Sequence, residues 1–132
     1  MTLNINMKDI DPNQLRDEFV SVERSTRQSL EILCDAKEVE LRAEYHFEYI
    51  KVIVEAKLRA GFDEPGMKKP NEDIMKLLVK SDTEVTAAAE SVFNAHLAMN
   101  IASLTLDAVK RRERVLTMMT SLTTAELKAF DI

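Results

Sequence analysis

From Asn13 to Ala60 the chain contains neither glycine nor proline. A segment of that length without a helix breaker or a turn residue excludes a sandwich or barrel of short strands, which needs a turn every ten residues or so. The whole chain of 132 residues has only 2 glycines and 3 prolines, so the same argument extends beyond this stretch. With 45% hydrophobic and 31% charged residues, the composition is that of a folded domain and too apolar for a disordered one. The expectation is an all-α fold: a long antiparallel helical hairpin with short extra helices, in one domain spanning 1–132.

The element boundaries follow from local signals. Asp11-Pro12-Asn13-Gln14 reads as a capping box opening a helix over 11–60. Apolar residues recur along Ile32, Ala36, Val39, Ala43, Phe47, Ile50, Val54 and Leu58. A second stripe, Leu30, Leu33, Leu41, Tyr45, Tyr49, Val52 and Ala56, lies beside the first, and together they predict a broad apolar face. Residues 23–29 lack apolar side chains, which predicts that the helix either breaks or stays exposed there. Gly61 is placed to end the helix in a left-handed conformation. Glu64-Pro65-Gly66-Met67 reads as a type II turn within a connector over 61–81. That connector carries a short helix over about 71–80, with Ile74, Leu77 and Leu78 on one face. Ser81-Asp82-Thr83-Glu84 reads as a capping box opening a second long helix over 82–121. Its inner stripe is Val85, Ala88, Val92, Ala95, Met99, Ala102, Leu106 and Val109. Thr123-Thr124-Ala125-Glu126 predicts a separate terminal helix over 124–130.

Residues 91–106 carry no charge for about four helical turns, between Glu90 and Asp107. A helix with a solvated face normally places Lys, Glu or Arg there, and a two-helix hairpin cannot cover this segment all round. The expectation is a homo-oligomer in which Val92, Phe93, His96, Met99, Asn100, Ser103 and Leu106 contact other copies.

Charge is uneven. The net charge is −5, and residues 1–48 carry six Lys/Arg against eleven Asp/Glu, while residues 49–132 carry twelve of each. An all-over basic surface for nucleic acid is excluded, but local basic sites are not. Lys57 and Arg59, followed by Phe62, Lys68 and Lys69, combine cations, an aromatic ring and a loop, the ingredients of sequence-tolerant single-strand binding. Lys110, Arg111, Arg112 and Arg114 form a second basic group, which ion pairs with Glu31, Asp35 and Glu38 would explain equally well.

Signs of catalysis are sparse. His46 and His96 are fifty residues apart, the single Cys34 has no neighbouring histidine, and no glycine-rich phosphate loop exists. Glu31/Asp35 and Glu40/Glu44 have the i, i+4 spacing used in di-metal bundles, but neither histidine follows a Glu by three residues. They read as a solvated acidic face, so no metal, no cofactor and no enzymatic activity are expected. One cysteine, no cationic-apolar leader and no run of eighteen apolar residues give a cytoplasmic expectation, without a membrane.

The helix ending in Lys57-Leu58-Arg59 before a glycine-containing loop, the segment Asp73-Ile74-Met75-Lys76-Leu77-Leu78-Val79, the helix start Ser81-Asp82-Thr83-Glu84-Val85, and Ala108-Val109-Lys110-Arg111-Arg112-Glu113-Arg114-Val115-Leu116 occur in that order. This pattern resembles the phage recombination-mediator family, the UvsY-like proteins, over most of the chain beyond about residue 25. The resemblance implies a small helical protein of ring-like homo-oligomers that binds single-stranded DNA. Such a protein acts in DNA recombination and repair by loading a RecA-like recombinase in place of a single-strand-binding protein, in the host cytoplasm if phage-encoded. The family's DNA-contact motif would fall on Lys57 and Arg59. The competing expectation is a helical structural or adaptor protein, a phage scaffold or regulator, that acts through protein contacts alone.

Overall fold

The computed structural model describes residues 12–130, and all of their regular structure is helical. Three helices follow in order: α1, Pro12–Gly61; α2, Glu72–Ser81; and α3, Thr83–Phe130. Asp11, the expected cap of α1, lies outside the described residues. The described residues form two compact units, one of residues 12–34 with 101–130, the other Asp35–Asn100.

α1 is unbroken through residues 23–29, so of the two expectations, a break or an exposed helix, the second is found, with Glu23, Arg24, Arg27 and Gln28 exposed. Val22 and Ser29 are buried, the Thr26 hydroxyl donates to the Val22 carbonyl, and Arg27 pairs with Glu23 one turn back at 2.8 Å. Polar side chains that bond within their own helix and bury two positions of the sheltered strip hold this segment helical without an apolar run.

The sheltered strip is narrower than the broad face expected. Along α1 every buried position and most half-buried ones fall on a strip that steps by three and four: Leu15, Phe19, Val22, Thr26, Ser29, Leu33, then Ala36, Glu40, Ala43, Phe47, Ile50, Val54 and Leu58, flanked by half-buried Glu18, Ser25, Glu44, Lys51, Ile53 and Glu55. That is the heptad seam of a coiled coil, which only two of every seven residues enter. Leu30, Ile32, Val39, Leu41, Tyr45, Tyr49 and Val52 are therefore exposed, because one partner helix covers only one strip. α3 follows the same rule. Its expected inner stripe from Val85 to Val109 is buried or half-buried throughout.

In the first unit Leu15, Val22, Val109 and Leu116 form the core, with Phe19 packed against them. Arg112 reaches Glu18 at 3.7 Å, leaving its Nε without a partner among the described residues. This corrects the expected pairing of the 110–114 group with Glu31, Asp35 and Glu38. Burying Leu116 and Val109 against Leu15 and Val22 fixes the register, and the register sets Arg112 beside Glu18.

In the second unit α2 lies over a cleft of about 460 Å³ lined by Phe47, Lys51, Val52 and Glu55 of α1 and by Val85 of α3. It buries Met75, with Val79 half-buried, whereas Ile74, Leu77 and Leu78 are exposed. The face shared by Ile74, Leu77 and Leu78 is thus turned outward, because the position that meets α1 and α3 is Met75.

Helix ends also depart from expectation. Gly66, at φ 89°, is the single positive-φ residue described, and Met67 N–H donates to the Glu64 carbonyl at 3.2 Å, the geometry of the expected type II turn. Gly61 is not left-handed. α1 instead tightens at its end, with Phe62 N–H to Arg59 and Asp63 N–H to Ala60 carbonyls. Asn71 caps α2 by accepting from Ile74 N–H at 2.8 Å. The cap of α3 is Asp82 rather than Ser81: its carboxylate accepts from Glu84 N–H at 2.9 Å, while the Ser81 hydroxyl bonds back to Leu77. α3 runs on to Phe130 without the stop expected after 121. Thr120, Thr123 and Thr124 each donate to the carbonyl four residues earlier, so they stay inside the helix instead of capping a new one.

Candidate functional sites

The cations expected to contact DNA in the second unit divide into two kinds. Arg59, on the last turn of α1, bonds Glu55 at 2.8 Å and reaches Glu72 at the start of α2 at 3.2 Å. These bonds, first to Glu55 and then to Glu72, raise the guanidinium pKa above its ordinary value. Lys69 pairs with Asp63 at 3.3 Å. Lys57 and Lys68 are exposed and make no ion pair with a described residue, and Phe62 is half-buried. Two of the four cations therefore already serve the connector, a use invisible in spacing because it depends on how the chain turns after Gly61.

In the first unit Lys110, Arg111 and Arg114 are exposed, and Arg112 is half-buried toward Glu18.

The seven expected interface residues also divide. Leu106 is buried and Val92 and Met99 half-buried on the α3 seam, within their own chain. Leu106 thus lies in the core of its own chain, since seam positions are the ones an intrachain partner takes first. Phe93, Asn100 and Ser103 are exposed, and the His96 side chain is half-exposed. Beside Phe93, which is 62% exposed, sequence reasoning missed three large apolar residues: Leu97 is 46% exposed in the second unit, Ile101 64% and Leu104 65% in the first. The step of three and four along the seam is the signal that separates these from Val92, Met99 and Leu106.

A third grouping, which spacing alone reduces to a plain acidic face, is brought together by the fold. Glu40 occupies a seam position of α1 and is 8% exposed, so the expected solvated acidic face is wrong at this point. His96 of α3 presents Nδ1 to Glu40 Oε2 at 2.9 Å and Nε2 to Glu44 Oε1 at 3.5 Å. Lys37 holds the other Glu40 oxygen at 2.9 Å. The Lys37 bond first, then that from His96, keep the Glu40 carboxyl below the usual carboxylate range, and Glu40 in turn raises the Lys37 ammonium. Cys34 is an exposed free thiol.

No described helix is long and apolar enough to cross a membrane. Comparison with protein-family models, with curated proteins and with solved structures finds no match for this chain.

Proposed function

We propose that the chain is a non-enzymatic, self-assembling recombination mediator that binds single-stranded DNA and helps a RecA-like recombinase replace a single-strand-binding protein, in the cytoplasm of a phage-infected host. The observation that carries the DNA half is the pair of exposed cations Lys57 and Lys68, neither ion-paired with a described residue, with Phe62 between them in sequence. Phosphates displace counterions from such groups, and a nearby ring offers a face for a base. Two cations per copy bind weakly. Several copies on one strand bind far more tightly, because each later engagement is intramolecular. Assembly is supported by the exposed Phe93, Leu97, Ile101 and Leu104 in a stretch with no charge.

Fluorescence anisotropy with a short oligonucleotide at two salt concentrations tests this reading. Binding should weaken steeply with salt, and each phosphate that is no longer neutralised should flatten the logarithmic salt slope by about 0.7. Lys57→Ala with Lys68→Ala should therefore flatten it more than Arg59→Ala. Unchanged binding by the double variant overturns the site.

A second reading is favoured by Arg59–Glu55, Arg59–Glu72 and Lys69–Asp63: a helical adaptor whose connector cations are structural. An oligomer in sedimentation equilibrium with no salt-sensitive oligonucleotide binding selects it. A monomer at micromolar concentration removes the assembly common to both.

A further inference from the structure

We infer that Glu40, Glu44 and His96 form a binding site for a divalent transition-metal ion, of the Zn²⁺ class, clipping α1 to α3 within the second unit. One ligand atom from each residue can be chosen so that all lie within 4.8 Å of one another. Donors on a single zinc ion, at bond lengths of about 2.0–2.1 Å in tetrahedral arrangement, are about 3.3 Å apart. His96 Nδ1 stands 2.9 Å from Glu40 Oε2, so one ion can bridge that pair, while the 3.5 Å contact to Glu44 runs through the other ring nitrogen. Glu44 is half-exposed and closes the remaining gap by turning its carboxylate.

Two physical arguments favour a cation at this place. A neutral imidazole has one N–H and one lone pair. Both ring nitrogens of His96 face carboxylate oxygens, so in either tautomer a lone pair points at a carboxylate, and two acceptors in that position repel. A metal ion on Nδ1, shared with Glu40 Oε2, takes up the lone pair there and leaves the proton on Nε2, so that neither nitrogen presents a lone pair to a carboxylate. In addition, Glu40 and Glu44 are like charges one helical turn apart, an arrangement that destabilises a helix unless a positive charge is shared. Lys37 supplies part of it, on the Glu40 oxygen turned away from His96. That leaves Oε2 for the ion and fixes the carboxylate's orientation, the usual role of a hydrogen-bonded neighbour at a metal ligand. One imidazole with two carboxylates is an N and O donor set suited to zinc and its neighbours rather than to soft thiophilic ions. Three protein ligands leave a coordination position for water.

The inference is independent of the DNA reading and is tested without DNA. Calorimetric titration of the full chain with Zn²⁺ at neutral pH should show one ion per chain, in a Cys34→Ser background so that the exposed thiol cannot contribute. Co²⁺ should give visible d–d bands of a site with nitrogen and oxygen donors. His96→Ala and Glu44→Gln, both at half-exposed positions that leave the helices intact by circular dichroism, should each weaken binding at least about tenfold. His46→Ala should leave it unchanged. Zinc should also raise the thermal midpoint of the parent chain and not that of His96→Ala, since an ion bound only by the folded form stabilises it. No saturable binding overturns the proposal, as does binding that survives both substitutions.

Discussion

The two units use the same helices and hold them together differently. In the first, the seam is filled by large aliphatic side chains: Leu116 is fully buried and Val22 is 2% exposed, beside Leu15 and Val109. In the second, the buried residues of α3 are small, Ala88 and Ala95 with Val85, and the seam of α1 carries a carboxylate at Glu40. Small residues bury little apolar area, and so contribute little of the roughly 25 cal/mol per Å² that burial supplies. The second unit adds a third helix, capped at both ends, and a cross-helix polar cluster. The contrast teaches that one heptad pattern supports either a hydrophobic clamp or a polar, adjustable pairing, depending on what fills the seam.

The hardest way to break that contrast is to empty the clamp. Leu116→Ala should cost about 2–5 kcal/mol by urea denaturation, whereas Ala95→Gly in the second unit should cost about 1 kcal/mol, mostly backbone entropy. Equal losses would show that the aliphatic seam has no special weight. The caps come next. Asn71→Ala should destabilise by about 0.5–2 kcal/mol, with hydrogen exchange accelerating in α2 and not in residues 101–116.

Acid should act on the second unit through Glu40. Its folded carboxyl gives up its proton more readily than an unfolded one, so the stability it contributes is complete above the ordinary carboxylate value of 4.5. That stability is lost as pH falls through the lower folded value. Thermal midpoints should decline on acidification below about pH 4.5, the carboxylate range. Glu40→Gln should remove that part of the slope, while Leu116→Ala should keep it. The smallest effect belongs to the surface: breaking the exposed Arg27–Glu23 pair with Arg27→Ala should change stability by no more than about 0.5 kcal/mol.

Helices are legible because they depend on local facts. Missing glycine and proline, the apolar period along Val85 to Val109, and the Pro65-Gly66 turn each declare themselves within a few residues. The misreadings share one cause. Whether Ser81 or Asp82 caps, whether Thr123 starts a helix or bonds backward, and which stripe of α1 is covered all depend on tertiary register. So does the meeting of Glu40 with His96. Spacing along one chain places Glu40 and Glu44 on a shared face, but the histidine that completes the cluster comes from another helix, fifty-six residues on. A charged residue at a seam position, between Ala36 and Ala43, is the clue the sequence does contain. The structural roles of Arg59 and Lys69 are hidden in the same way, by a loop path that no local rule specifies.

Asp82 is the whole joint between α2 and α3. Its main-chain N–H closes the first helix on the Val79 carbonyl, and its carboxylate opens the second on Glu84 N–H. A joint one residue long has no slack. Inserting a single glycine after it would swing Val85 and Ala88 around the axis by about 100° and aim them at water. The phase of every later side chain is therefore dictated by the count of atoms at that corner, so natural relatives of this chain should tolerate insertions around Pro65 far more readily than between Ser81 and Thr83.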